Sequence, residues 1–120
     1  MKTSELVGAQ LNWAVALAEG WKPEKVRDAK GEYWWLFKHP RGMNPKHYHP
    51  STHWGIGGLI IEREGITVAP DDVEPWCAFI DRGTAEDVIY SGTTPLIAAM
   101  RCYVASKLGD EVEIHYGMRF

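Results

Sequence analysis

Hydrophobic and polar positions follow a helical period at both ends of this chain and a shorter period in between. Residues Ser4 to Glu19 place Val7, Leu11 and Val15 on one apolar face, and Gly20 ends the pattern. This spacing predicts a first helix over Ser4 to Glu19, with Ser4 as its N-cap. The segment 94–109 has the same period and predicts a closing helix.

The closing helix carries its own start and stop signals. Thr94 is a good N-cap, and Pro95 at the first helical position loses no hydrogen bond there. Gly109 supplies the left-handed residue that commonly ends a helix. Arg101 falls on the wetter side of the predicted helix, opposite an apolar stripe. The stripe consists of Ile97, Met100, Val104 and Leu108.

Strand-like segments lie between these two helices. The aromatic run Tyr33 to Phe37 and the apolar run Trp76 to Ile80 predict strands, and Ile66 to Ala69 alternates as a half-buried strand does. Val88 to Tyr90 predicts a short edge strand, and Val112 to Tyr116 a last one. The segments 22–25 and 29–32 predict turns, 39–50 a loop, and 118–120 a tail.

The segment 51–65 is ambiguous, because Gly55, Gly57 and Gly58 each cost about 1 kcal/mol in a helix interior relative to Ala. Ser51 and Thr52 are nevertheless suitable caps, and 62–65 has the composition of a helix end. We predict a central helix whose glycines let its backbone approach a sheet or a ligand.

Three helices and three to five short strands predict an α+β fold, in one domain spanning residues 1–120. We expect a small, mainly antiparallel sheet covered by N-terminal, central and C-terminal helices. Trp34, Trp35, Trp54 and Trp76 are predicted to be core residues, and Trp13 and Trp21 to be partly exposed.

Charge and apolar content narrow the classes of partner. The net charge is −3, which argues against sequence-independent binding to a nucleic-acid backbone. We find neither a signal peptide nor an apolar run near the ~20 residues that a membrane-spanning helix needs. We therefore expect a soluble intracellular protein with no membrane partner.

The histidines are a residue type that binds zinc or nickel, but their spacing is weak evidence for a metal site. His47, His49 and His53, with His39 upstream, alternate on a Pro-rich segment without a neighbouring Cys or acidic ligand. The two cysteines, Cys77 and Cys102, have no metal-motif spacing and are interpreted as free thiols. We predict no tightly held transition metal and no cofactor.

Candidate catalytic and binding groups gather at the start of the central helix. Ser51, Thr52 and His53 are adjacent, but adjacency is not triad geometry, and capping explains the two hydroxyls. The glycines lack the preceding strand and following Lys-Ser/Thr of a P-loop, although a bare helix N-terminus accepts anions. The acids of 62–64 are interpreted as a solvated charge run, because residues two apart do not share a helix face. Arg101 would either form a salt bridge with one of these acids or contact a ligand. The predicted ligand-binding residues are His53, Trp54, Gly55, Gly57, Gly58 and Arg101.

Four collinear segments give the chain a family resemblance. These segments are Leu6 to Gly20, Pro50 to Ile66, Trp76-Cys77-Ala78, and Thr94 to Arg101. Together they resemble small bacteriophage and prophage proteins of the NinX type, and also a related phage domain with an α-β-α sandwich. The resemblance implies a phage setting and supports the central helix, but it carries no established activity. His53 stands where the family usually has an acidic residue, and Leu59 at a Pro-like position.

Three functional hypotheses remain open at this stage. The first is a non-enzymatic phage accessory protein in the host cytoplasm that binds a host or defence protein, or sequesters a small anionic ligand such as a nucleotide. We expect such a protein to form homo-oligomers, because a short chain with six tryptophans leaves apolar surface uncovered. The second is a small hydrolase or nucleotide-processing enzyme that uses His53, Glu62 and Arg101. The third, disfavoured by charge, is a recombination or replication accessory.

Overall fold

A computed structural model describes residues 1–38, 48–80, 88–114 and 118–119, and its elements confirm the α+β prediction. The helices are α1 (Gly8–Ala18), α2 (Trp54–Glu64) and α3 (Pro95–Leu108). The strands are β1 (Lys22–Arg27), β2 (Tyr33–Lys38), β3 (Thr67–Pro70), β4 (Trp76–Ile80), β5 (Val88–Gly92) and β6 (Met118–Arg119). Among these, β4 and α3 have the predicted bounds.

One antiparallel sheet and the closing helix form the centre of the fold. The strand order is β3-β4-β5, and Ala78 in the middle strand pairs with Val68 on one side and Tyr90 on the other. Helix α3 packs across this sheet, and α1 and α2 in turn pack on α3. Because α3 lies between the sheet and the other helices, every residue from Ala98 to Val104 is buried.

A second sheet contains β1, β2 and β6, with β1 and β2 joined as an antiparallel hairpin. The predicted turn at 29–32 is confirmed: Asp28 Oδ1 accepts hydrogen bonds from the backbone N–H groups of Lys30 and Glu32, both at 2.9 Å. The predicted turn at 22–25 is wrong, since those residues begin β1. Pro23 lies near the start of β1, which is at the edge of the sheet formed by the described strands, and proline within sheets is found mainly on edge strands.

Both chain ends depart from the sequence-based expectation. Helix α1 begins at Gly8 rather than at Ser4, because residues 3–5 form a 3-10 turn that is held by the far end of α3. The N–H of Thr3 donates to Asp110 O at 2.8 Å, and its Oγ1 donates to Gly109 O at 2.8 Å. The strand predicted at 112–116 is absent over 112–114, and 115–116 lie outside the described residues. Residues 118–119, predicted as tail, pair with β2 instead.

The burial of several large side chains also differs from the prediction. Trp13 and Trp21 are buried, whereas Trp54, predicted to be core, is 56% exposed. Arg101 is buried and not on a wet face, while Leu108 at the end of the predicted stripe is partly exposed. These errors share a cause: helical periodicity shows that an apolar face exists, but not which other elements cover the helix. None of the helices in the described ranges is long and apolar enough to cross a bilayer.

Candidate functional site

Helix α2 starts without a side-chain cap. His53 is the N-cap residue, and neither Ser51 nor Thr52 caps the helix as predicted. Instead the Thr52 hydroxyl donates to His49 O at 3.4 Å, and the Ser51 N–H donates to Asn12 Oδ1 at 3.0 Å. The first-turn N–H groups of Trp54 and Gly55 consequently have no acceptor among the described residues.

A cavity of about 230 Å³ lies between the start of α2 and the start of α3. At α3, Thr94 Oγ1 accepts from the N–H of Ile97 at 3.1 Å, which leaves the N–H of Leu96 without an acceptor in the described part of the chain. Two helix N-termini therefore border one cavity, and each contributes a partial positive charge and at least one free donor. The lining residues are Ser51, Thr52, Trp54, Thr94, Pro95, Leu96 and Ile97.

Ser51 combines burial with an unused hydroxyl. Only 2% of its surface is exposed, and its Oγ has no hydrogen-bond partner among the described residues. A buried hydroxyl without a partner costs about 1–3 kcal/mol, so such groups are uncommon in folded proteins. This unused hydroxyl belongs to a residue that lines the cavity.

A comparison with protein families decides the relationship of this chain to known proteins. The family model described as "Bacteriophage P22, NinX" matches residues 2–107. The chain belongs to the NinX family. The matched region includes both helix starts that border the cavity, and it confirms the resemblance seen in the sequence. A comparison with curated proteins finds no match.

The glycines of this NinX-family chain have three different surroundings. A Cβ added to Gly57 would lie 2.4 Å from Pro50 O and 2.7 Å from Leu96 Cδ2, so this glycine allows close packing of α2 against the cavity wall. At Gly55 the nearest atom would be His53 Cε1, at the end of a flexible side chain, and at Gly58 it would be Trp54 Cε3 at an ordinary 3.6 Å. Of the three, Gly57 alone is fully buried.

Arg101 is held away from the cavity lining. Its Nε donates to Leu6 O at 2.9 Å and its Nη1 to Ser91 O at 2.8 Å, so the salt bridge predicted with an acid of 62–64 is not formed. Burial lowers the pKa of Arg101, and the charge of Glu74 opposes that shift. The guanidinium thus joins the segment before α1 to β5.

The predicted binding residues are therefore only partly brought together. Trp54 lines the cavity, Gly55 and Gly57 belong to the same helical start, and His53 lies exposed as the N-cap. His53, Glu62 and Arg101, the residues of the enzyme hypothesis, are all absent from the cavity lining. Sequence reasoning missed the α3 side of the site, because Thr94 and Pro95 signal a helix start but nothing local indicates what that start faces.

The charge run 62–64 has a defined structural partner rather than being simply solvated. Arg63 donates to both carboxylate oxygens of Glu19, at 2.6 and 3.2 Å, and to Glu64 at 3.1 Å and the Tyr103 hydroxyl at 3.2 Å. Lys107 pairs with Glu64 at 3.2 Å. We refer to Glu19, Arg63, Glu64, Tyr103 and Lys107 as the three-helix cluster, since its members come from the end of α1, from α2 and from α3.

Ionisation in the three-helix cluster reflects these contacts. Burial, with the negative charge of Glu19 adding to it, raises the pKa of Tyr103 to about 12. For Glu64, burial acts to raise the pKa, but hydrogen bonds from Arg63 and Lys107 outweigh it and the pKa is lowered. The cluster lies at the opposite end of α2 from the cavity, and we assign it to helix packing.

Metal ligands do not gather within the described ranges. The rings of His49 and His53 lie edge to face with centroids 5.2 Å apart, but no group of three His, Cys, Asp or Glu side chains is found there. His39, His47 and His115 lie outside the described residues. Cys77 and Cys102 are not joined in a disulfide, and the Cys102 thiol donates to Val88 O at 3.3 Å.

Proposed function

We propose that this NinX-family protein is a phage accessory protein that acts by binding, and that it holds a small anionic ligand in the cavity between the starts of α2 and α3. The main support is the pair of helix N-termini at one cavity, where the N–H groups of Trp54, Gly55 and Leu96 have no acceptor within the described ranges. Such donors are oriented by the backbone, so an anion is bound without reorganisation of side chains. We place this activity in the cytoplasm of the infected or lysogenic host.

The composition of the cavity favours binding over turnover. Among the described residues the lining includes Ser51, Thr52 and Thr94, but no His, Asp, Glu, Lys or Cys. A serine or threonine hydroxyl is a weak nucleophile unless an adjacent base takes its proton. A ligand that enters this cavity therefore meets donors without a general base, and we expect it to leave unchanged.

The test is retention and recovery of ligand. The protein is incubated with nucleotides, cyclic dinucleotides and small organic anions, separated from free ligand, and denatured to release what it holds. We expect an anion to be recovered chemically intact. Thr52→Phe should block retention by filling the exposed side of the cavity, and Thr67→Phe, on an exposed strand position outside the lining, is the matched control. A chemically converted product would support the enzyme hypothesis instead.

A protein partner is the second candidate, favoured by exposed apolar side chains on α2. Trp54 is 56% and Leu59 is 66% exposed. Exposed tryptophan is typical of binding hot spots, which supports a host or defence protein as partner. Trp54→Ala should weaken capture of such a partner more than Val73→Ala, a change at an exposed apolar residue elsewhere. Sedimentation at several concentrations would show whether a second copy of the chain uses this face.

A further inference from the structure

We infer that the ligand of this cavity is a carboxylate with a short, branched apolar body, and not a phosphate or a nucleotide. The inference rests on the proposed anion site and narrows its chemistry. It follows from the charge, the apolar lining and the size of the cavity.

Charge favours a monoanion. The described lining contains no Lys or Arg, so free backbone N–H groups and hydroxyls carry the recognition. A phosphate group carries about −1.5 to −2 charges and three strong acceptor oxygens. Moving that charge out of water without a cationic side chain is more costly than moving one carboxylate, which has a single charge and two oxygens. Trp54 and Leu96 line the cavity from opposite helix starts, so their N–H groups, with that of Gly55 next to Trp54, would serve the two oxygens of a carboxylate.

The remaining walls favour an aliphatic body of limited size. Pro95, Leu96 and Ile97 line the cavity together with Trp54. The volume of about 230 Å³ is smaller than the range of roughly 300–1,000 Å³ that is usual for drug-sized ligands. A branched chain of a few carbons fits within this volume and buries its apolar surface, whereas a ribose, a base and a phosphate together would extend beyond the cavity.

The Ser51 hydroxyl is the second, independent observation. It is buried without a partner in the described part of the chain, and a carboxylate oxygen would give it an acceptor. The unpartnered Ser51 hydroxyl destabilises the ligand-free protein, and a hydrogen bond to the ligand would offset that destabilisation. Unused polar groups of this kind are found where function is favoured over stability.

The experiment uses three probes that share a body and differ in head group: 4-methylpentanoate, uncharged 4-methylpentanamide and isopentyl phosphate. Binding is followed by the ¹H–¹⁵N signals of Trp54, Gly55 and Leu96. We expect saturable shifts with the carboxylate, weaker binding of the phosphate, and none of the amide. The carboxylate could belong to a free acid or to the C-terminus of a partner chain, and acetyl-Gly-Gly-Leu with a free carboxylate distinguishes the two. If this peptide binds more tightly than 4-methylpentanoate, the ligand is the end of a partner chain. If it binds more weakly, the ligand is a free acid.

Each contrary result has a distinct meaning. Tighter binding of isopentyl phosphate at the same amides overturns the carboxylate inference and leaves the proposed anion site intact. Equal binding of the uncharged amide overturns the inference and the anion site together. If none of these probes and no nucleotide shifts the three amide signals, the binding proposal at this cavity fails as well.

Ser51→Ala gives a second readout that a structural role would not produce. We expect the variant to bind 4-methylpentanoate roughly tenfold more weakly, because a hydrogen bond to a charged group is lost. Its thermal unfolding midpoint without ligand should rise, because an unpartnered buried hydroxyl is gone. Ser4→Ala, at an exposed serine outside the cavity lining, should change neither quantity. A stabilised Ser51→Ala protein with unchanged affinity would overturn the role of the hydroxyl.

Discussion

Arg101 shows how the role of one residue depends on contacts far along the chain. In sequence it is a cation on an apolar helix, and its expected partner is an acid of 62–64, with a ligand as the alternative. In the structure its guanidinium is buried and donates to the carbonyl oxygens of Leu6 and Ser91. Bonds to neutral carbonyls retain the positive charge but fix the side chain in the core, so its first role is to hold two segments against α3.

Replacing Arg101 with Met is expected to destabilise the fold by on the order of 3 kcal/mol, because two carbonyl oxygens lose their donor and each such loss costs about 1–3 kcal/mol. Urea unfolding measures the change. Lys30→Met is the matched control, since Lys30 is an exposed residue of the turn after β1 and a change at such a surface position usually alters stability by less than about 0.5 kcal/mol. If Arg101→Met instead keeps its stability and loses anion binding, Arg101 is a ligand residue, as the sequence predicted.

At the scale of the secondary-structure elements, α2 is the helix whose amino-acid sequence is least favourable to helix formation. Three glycines in its first half weaken its propensity, yet it forms and ends at Gly65, whose φ of +66° is the left-handed conformation expected there. The structure separates two of these glycines by surroundings. A side chain at Gly57 would collide with Pro50 O and with Leu96, a residue of the cavity lining, whereas Gly58 has space for a methyl group.

This difference predicts opposite effects for one chemical change. Gly58→Ala should stabilise the protein by up to about 1 kcal/mol, because alanine has the higher helix propensity and its Cβ meets only an ordinary contact. Gly57→Ala should destabilise it, because the Cβ would lie 2.4 Å from a backbone oxygen that must then move. Thermal unfolding of both variants checks the pair. Equal stabilisation by both would mean that α2 does not pack closely on the segment 50–52.

At the scale of the whole molecule, the three-helix cluster joins elements that are distant in sequence. Arg63 connects Glu19 near the end of α1 with Tyr103 on α3, and the Tyr103 hydroxyl also donates to Ala18 O at 3.4 Å. Burial keeps Tyr103 neutral to unusually high pH. The stability of the fold should therefore depend on the proton of this residue.

We expect the free energy of unfolding to fall as the pH rises from about 10 to about 12. The unfolded chain loses the tyrosine proton near pH 10, whereas the pKa of Tyr103 in the folded protein is about 12. In this window the native state binds more protons, so alkali favours unfolding. The stabilisation is complete below pH 10 and lost above 12. Urea unfolding at pH 9 and 11.5 measures the loss, and Tyr103→Phe should show a smaller one. An identical pH dependence in the variant would contradict this account.

The sequence by itself determined those helices and strands whose capping, turn and periodicity signals lie within a few residues of each other. The start of α3 needs only Thr94, Pro95 and the N–H of Ile97, three residues apart at most, and its predicted bounds are confirmed. The strand at 76–80 is likewise confirmed, because its apolar run is bounded by turn residues. The α+β class follows from such segments, and the NinX resemblance follows from their order.

Tertiary structure decided what those elements face. The bond from Arg101 to Leu6 spans 95 residues, and no periodicity within one helix encodes it. The exposure of Trp54, the burial of Trp13 and the cavity between two helix starts depend in the same way on which elements pack together. Propensity and capping act over one turn of chain, whereas burial is shared among segments that meet only in the folded protein. The sequence by itself therefore determined where α3 occurs and gave conflicting signals for α2, and only the fold brought their N-termini to one cavity.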